Sequence, residues 1–257
     1  MTKNNAPVTT EPATDSVRLP NNAFRAAYAS VPAAEKTRAF TMLVCAGITL
    51  GVLLLSRLVW LFKPLFDMIF YGLLSVGIYY VLLFVICLVY CILLNRYVKK
   101  NCNERIFGKR EAKMTIPQML AIIAIGAAAV FVANAVFGFK TKIQLEMGGG
   151  GVTMASALSN VSVYVYYAVH LWLALTAAML VQRSLTILLP SKHTIPWGAI
   201  FLVTVFGLIE TTLEILTTPH LFPWMYYLFD YVYAAIFVLA EYRFHTTYWA
   251  SIIIMVL

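Results

Sequence analysis

Five polar residues lie inside long apolar stretches of the sequence, and they are its best candidates for binding or proton chemistry. They are Asn134, His170, Glu210, Glu214 and Asp230. An ionisable side chain at hydrocarbon depth costs a few kcal/mol, so such a residue usually faces a partner, a cavity or a pathway. Glu210 and Glu214 are four residues apart and therefore share one face of a helix. We predict that these five residues line a solute- or proton-binding site.

The residue types in this set suit several chemistries. Carboxylates and imidazoles can ligate a divalent metal, hold an organic cation or exchange protons. The candidate metal ligands are His170, Glu210, Glu214 and His220, although the sequence identifies neither a particular metal nor a cofactor. A structural interpretation competes with this one: Glu214 is hydrated at the membrane surface, Lys140 or Lys142 pairs with Glu210 or Glu214, and His170 bonds to a backbone carbonyl.

The elements that must position these residues follow from the composition. Of the 257 residues, 61% are hydrophobic and only 12% are charged, whereas soluble domains carry about 25% charged residues. A transmembrane helix needs about 20 consecutive apolar residues. Six stretches meet this requirement, at 39–61, 68–94, 116–139, 161–189, 196–216 and 223–240. The fold class predicted is an all-α, polytopic transmembrane helical bundle.

Two segments fall outside the six predicted spans. Residues 1–37 are polar and rich in Thr and Pro, which predicts a disordered cytoplasmic tail before a transmembrane domain at 38–257. The apolar piece at 247–257 has 11 residues and as a helix reaches only about 16 Å. We interpret it as a half-span or as a truncated seventh helix.

The basic residues predict the orientation of the chain, because Lys and Arg near span ends stay in the cytoplasm. If six spans alternate, 15 of the 19 basic residues fall on the side of the N-terminus. The N-terminus is therefore predicted to be cytoplasmic, in a cell membrane, and the compact loops favour a bacterial plasma membrane. The loop at 95–115 holds seven basic residues, which suggests contact with anionic lipid headgroups rather than with nucleic acid. The same loop could dock a cytoplasmic or membrane partner subunit.

Two further groups of residues have predicted structural roles. Glu241, Arg243 and His245 end the sixth span, where an ion network at the inner boundary is the favoured interpretation over a gate. The third span carries Ala124 with Ala128, and Ala129 with Ala133. Small residues at this spacing allow close helix approach, so the third span is predicted to lie centrally in the bundle or to dock against a partner.

Three classes of function remain open. The first is a permease or a membrane subunit of a transporter that binds a small cationic or polar solute in the outer half of the bundle. Six spans with short loops resemble, in layout only, the membrane subunits of vitamin and metal uptake systems. The second is an assembly or sensory subunit with structural intramembrane charges. The third is an intramembrane metal-dependent enzyme that uses His170 and Glu210, and it is less favoured because no nucleophile or metal motif accompanies them.

Overall fold

The computed structural model of the chain describes residues 25, 28–58, 62–69, 73–104, 106, 115–136, 154–190, 195–210, 212 and 223–244. All the regular secondary structure in these residues is helical. The α-helices are α1 (Ala33–Leu58), α2 (Lys63–Ile69), α3 (Leu73–Cys102), α4 (Ile116–Val136), α5 (Met154–Leu188), α6 (Trp197–Val203) and α7 (Pro223–Phe244). A π-helix at Thr204–Glu210 continues α6. Each of the six predicted apolar stretches thus contains a helix.

Three of these helices have the length and apolar composition needed to cross a membrane. The qualifying stretches are Ala33–Ser56 in α1, Gly77–Cys102 in α3 and Val161–Leu188 in α5. At about 1.5 Å per residue, the 35 residues of α5 extend about 52 Å, well beyond the roughly 30 Å of a hydrocarbon core. The apolar stretch Trp197–Ile209 is shorter.

The centre of the described bundle is α5. It packs against α1, α3 and α6, while α7 packs against α6 and α4. The middle of α5 is fully buried, and its buried residues include Leu173, Leu175, Ala177, Ala178, Met179 and Leu180. Hydrogen bonds between side chains join the apolar surfaces of the helices: Thr49 of α1 bonds to Tyr90 of α3 at 2.8 Å, and the Ser184 hydroxyl donates to the Ala39 carbonyl at 2.7 Å.

Most of the described surface of α4 is exposed. In the described residues its contacts are with α7, and Ala124 and Ala128 are exposed. The side chains of Ala129 and Ala133 lie outside the described part. The expectation that this span is central therefore stays untested. Docking of the exposed alanines against a partner remains a prediction.

The start of the helical domain also differs from the predicted boundary. Because α1 begins at Ala33, residues 33–37 are helical and do not belong to a disordered tail. A helical turn at 28–30 precedes it, and the Lys36 ammonium lies over the Tyr28 ring, 4.4 Å from its centroid. The tail prediction for the residues before 25 lies outside the described part, as does the segment 247–257.

Candidate functional site

The ends of four helices meet at one end of the bundle. Arg38 near the start of α1 and Glu104 just beyond α3 form an ion pair, Glu104 also pairs with Arg183 near the end of α5, and Arg183 pairs with Glu241 near the end of α7. The helices α3, α5 and α7 thus all finish where α1 begins. We call this end, defined by Arg38, Glu104, Arg183 and Glu241, the ionic end.

His170 is a predicted site residue that the structure places deep in the bundle. Its side chain is almost completely buried, with 2% exposure. It lies 13 residues before Arg183 in the same helix, about 20 Å from the ionic end. Its Nδ1 is 3.3 Å from the Tyr166 hydroxyl, and that hydroxyl is 2.9 Å from Ser56 Oγ of α1. Imidazole, phenol and alcohol therefore form one hydrogen-bonded chain between α5 and α1.

Aromatic rings pack around this hydrogen-bonded chain. The Tyr80 ring of α3 lies 5.4 Å from the Tyr166 ring and 6.2 Å from the Tyr167 ring, measured between centroids. The Tyr167 ring lies 6.4 Å from the His170 ring. These separations are those of rings in direct contact, so the aromatic rings cover part of the surface of the imidazole. Neither Tyr166 nor Tyr167 was among the residues predicted to belong to the site.

Asp230 is the second predicted site residue with a described side chain, and it is equally buried. Its exposure is 2%, and it lies in α7 between Phe229 and Tyr233, whose rings stack with centroids 6.4 Å apart. Asp230 precedes Glu241 by 11 residues, which places it about 16 Å from the ionic end. Asp230 and His170 therefore lie at similar depths on two different helices. A carboxylate is rarely buried to this degree in a folded protein.

The other predicted site residues are described in part or not at all. The backbone of Glu210 ends the π-helix and that of Asn134 lies in α4, but both side chains lie outside the described part, as do Glu214 and His220. The proposed gathering of all five polar residues is therefore untested. Among the described residues, no three His, Cys, Asp or Glu side chains cluster in a way that could hold a metal ion.

Glu104 is a central residue of the ionic end that the sequence did not single out. One of its carboxylate oxygens accepts a hydrogen bond from Arg38 and the other accepts one from Arg183. The preceding residue, Asn103, ends α3 with a φ of 52°, a left-handed conformation that Asn tolerates better than most residues. This residue turns the chain sharply enough to return Glu104 between two helices.

The ionic end becomes steadily more buried from α1 to α7. Side-chain exposure is 43% for Glu35, which pairs with Arg38 at 3.2 Å, 30% for Arg38 and 19% for Glu104. It falls to 16% for Arg183 and 9% for Glu241, which are 3.4 Å apart. Three carboxylates and two guanidiniums thus form one chain of alternating charges. Such alternation satisfies most of the donors and acceptors that burial removes from water.

The predicted ion network at the inner boundary is only partly tested by this arrangement. Glu241 does take part in an ion network, but its described partner is Arg183 of a different helix. The side chain of Arg243 and the whole of His245 lie outside the described part. The predicted partners of Glu241 were its neighbours in the chain, whereas Arg183 is 58 residues away. A feature of the sequence that could have identified Arg183 as a partner is the predicted topology, because six alternating spans put Arg183 on the same side as Arg38.

Gln182 fixes the start of α6 next to the ionic end. Its side-chain amide donates to the Ile195 carbonyl at 3.1 Å, and its side-chain oxygen accepts from the Gly198 backbone N–H at 2.8 Å. The first N–H groups of a helix have no partner within the helix, so Gln182 satisfies one of them from α5. The chain entering α6 is thereby tied to the most buried helix of the bundle.

Comparison of the chain with models of protein families, with curated proteins and with solved structures gives no match.

Proposed function

We propose that the protein is a six-span membrane protein that binds a small cationic or polar solute and acts as a permease or as the membrane subunit of a transporter. The observation that carries the proposal is the burial of His170 and Asp230, each 2% exposed, on two helices at similar depth. Burying such groups in an apolar bundle is costly, and intramembrane ionisable residues generally mark solute or proton pathways. With the ionic end at one boundary of a hydrocarbon core about 30 Å thick, depths of about 20 and 16 Å would put both groups beyond its middle.

The proposed topology has a cytoplasmic N-terminus and a cytoplasmic ionic end. The start of α1 lies at the same end of the bundle as the ends of α3, α5 and α7. This arrangement supports an even number of membrane crossings between the start of α1 and the end of each of these helices. The excess of Lys and Arg on this side supports its cytoplasmic location. In this topology the pathway from His170 and Asp230 opens towards the outside, while the ionic end lies between the site and the cytoplasm.

The hydrogen-bonded chain at His170 supports a role for protons in the proposed site. The two ring nitrogens of an imidazole can donate and accept hydrogen bonds, which allows the ring to pass a proton from one side to the other. The Tyr166 and Ser56 hydroxyls each act as both donor and acceptor. Glu210 and Glu214 stay in the proposed site as carboxylates that would favour a cationic solute.

The test is the thermal stability of the detergent-purified protein with a panel of divalent metals, polyamines and vitamins. A ligand that binds only the folded protein raises the unfolding temperature by mass action. We expect at least one such ligand for the wild type, and we expect Asp230→Asn and His170→Gln to lose its effect. Ser184→Ala is the matched control, because Ser184 is equally buried in α5 but lies at the ionic end. Ligand shifts that persist in both site variants would refute the proposal.

An assembly subunit with structural charges is the second candidate function. It is favoured by the exposure of Ala124 and Ala128, since small residues four apart are typical of helix contacts in membranes. In that case Ala124→Leu together with Ala128→Leu would abolish recovery of a crosslinked partner and leave the unfolding temperature of the isolated protein unchanged. A ligand shift that depends on Asp230 would favour the permease instead.

A further inference from the structure

One face of α3 carries a continuous stripe of exposed side chains that changes from apolar to basic along the helix. Its residues recur at intervals of three and four, which places them on a single face of the helix. The stripe consists of Leu82, Ile86, Val89, Leu93, Arg96 and Lys100, all of them exposed. It is apolar as far as Leu93 and basic from Arg96 onwards. Tyr97, with 53% exposure, lies beside the change, where an interfacial aromatic residue is expected in a membrane protein.

The basic part of the stripe and the adjacent Lys99 have no acidic partner among the described residues. Arg96, Lys99 and Lys100 are exposed, and the described ion pairs at this end of the bundle all belong to Arg38 and Arg183. The two arginines already form ion pairs with Glu35, Glu104 and Glu241. Three positive charges therefore remain on the outer surface of α3, available for an anion that comes from outside the chain.

The length of the apolar part agrees with one leaflet of a bilayer. From Leu82 to Leu93 the helix rises about 16 Å, and half of a hydrocarbon core about 30 Å thick is about 15 Å. An acyl chain lying along this part would thus end where the basic residues begin. An acidic protein partner would account for the charges but would have no use for an apolar stripe of this length.

We propose that this face of α3 binds an anionic phospholipid, with its phosphate at Arg96, Lys99 and Lys100 and an acyl chain along the stripe from Leu82 to Leu93. Arginine can bind phosphate oxygens with two N–H groups, and lysine contributes a compact positive charge. A basic residue near an anionic membrane surface strengthens binding about five-fold. The inference rests on the proposed membrane location of the protein but not on its proposed solute.

The test compares the unfolding temperature of the full-length protein in detergent after addition of phosphatidylglycerol or of phosphatidylcholine with the same acyl chains. We expect phosphatidylglycerol to raise the unfolding temperature of the wild type more than phosphatidylcholine does. The variant with Arg96→Gln, Lys99→Gln and Lys100→Gln should lose this difference, and high salt should reduce it in the wild type. Native mass spectrometry should show fewer retained phosphatidylglycerol molecules on the variant.

Two controls distinguish the lipid site from simpler explanations. Lys36→Gln removes one positive charge at the same end of the bundle but outside the stripe, so it should keep the difference that Arg96→Gln reduces. Inorganic phosphate should not reproduce the effect, because it lacks the acyl chain. The proposal is overturned if phosphate acts as well as the lipid, or if Lys36→Gln matches Arg96→Gln. It is also overturned if the triple variant is less stable in both lipids but retains the full difference, because the basic residues would then act only on the helix dipole.

This test separates failure of the lipid site from failure of the proposed solute site. His170 and Asp230 are buried about 20 and 16 Å from the ionic end, so His170→Gln and Asp230→Asn leave the basic residues at Arg96, Lys99 and Lys100 intact, and neither should change the difference between the two lipids. A lipid effect with no solute effect would support the membrane location and leave the transport proposal without support.

Discussion

Glu104 shows how a single carboxylate can hold two helices at once. Each of its oxygens accepts a hydrogen bond from a different guanidinium, one on α1 and one on α5. The carboxylate is 19% exposed, so water screens these pairs less than it screens ion pairs at a surface. If the carboxylate is removed, two partly buried arginines lose a shared counter-charge, and Glu35 and Glu241 are the remaining carboxylates that contact them.

Glu104→Gln should therefore destabilise the protein. Breaking a buried ion pair by removing one partner costs about 3–5 kcal/mol, and the partial exposure of Arg38 places the expected loss near the lower end, at about 3 kcal/mol. The measurement is reversible unfolding in mixed micelles. Glu35→Gln is the control, because Glu35 is 43% exposed and contacts Arg38 alone, and it should cost at most about 1 kcal/mol. Equal losses for the two variants would contradict this account of the ionic end.

Alkylation of the native cysteines can show which part of the bundle the Glu104→Gln change destabilises. Cys102 is buried beside the ionic end, with its sulfur 3.9 Å from the Arg38 carbonyl, while Cys87 is buried near the middle of α3. Local opening in Glu104→Gln should speed alkylation of Cys102 and leave Cys87 protected. Equal acceleration at both cysteines would mean that the whole bundle unfolds rather than its ionic end.

At the scale of elements, α6 approaches α5 and α7 closely at Gly198. A Cβ atom built on this residue would lie 2.6 Å from the Ala178 carbonyl oxygen of α5 and 2.6 Å from a ring carbon of Phe237 in α7. The carbonyl belongs to a helix backbone and cannot move alone. The absence of a side chain at Gly198 thus sets the distance between α6 and its two neighbours.

Gly198→Ala should force α6 away from α5 and α7. We expect a loss of about 1–3 kcal/mol, the usual range for overpacking, together with a weaker bond from Gln182 to the start of α6. The comparison is Gly47→Ala in α1, where a new Cβ meets nothing within 4 Å. That change should be neutral or stabilising by up to about 1 kcal/mol, because alanine favours the helix. Thermal unfolding of both variants checks the prediction, and a loss at Gly47 equal to that at Gly198 would argue against it.

The sequence predicted where the helices lie along the chain better than it predicted which residues of different helices are in contact. Long apolar stretches determine helices directly, so each predicted stretch contains one, and the polar interruptions at His170 and Asp230 were visible in the sequence. The partners of these residues were not, because contact between Tyr166 and Ser56, or between Glu104 and Arg183, depends on how helices distant in sequence are arranged. Gly198 gives no sequence signal that separates it from Gly47. The alanines of α4 suggested a central helix, but small side chains favour close approach without specifying which helix approaches.

For the whole molecule, the arrangement of helix ends limits the possible paths of the chain. The helices α3 and α5 both finish at the ionic end, so the segment between them, which includes α4, must return the chain to the opposite end before α5 begins. Basic residues concentrate at the ionic end, where Arg38, Arg96, Lys99, Lys100 and Arg183 all lie. The geometry puts these basic residues at one end of the bundle, and under the proposed topology the positive-inside rule makes that end cytoplasmic.

This orientation predicts which loops a reagent outside the cell can reach. An epitope placed in the loop at 105–113 should be protected from protease in intact spheroplasts, and one placed at 144–152 should be cleaved. Inside-out vesicles should show the reverse pattern. Cleavage of both epitopes from one side would mean that α4 does not cross, and the six-span proposal would then fail even though the ionic end would stand. Replacing Lys109, Arg110 and Lys113 by Gln should weaken the protection of the first epitope, because the basic residues retain this loop in the cytoplasm.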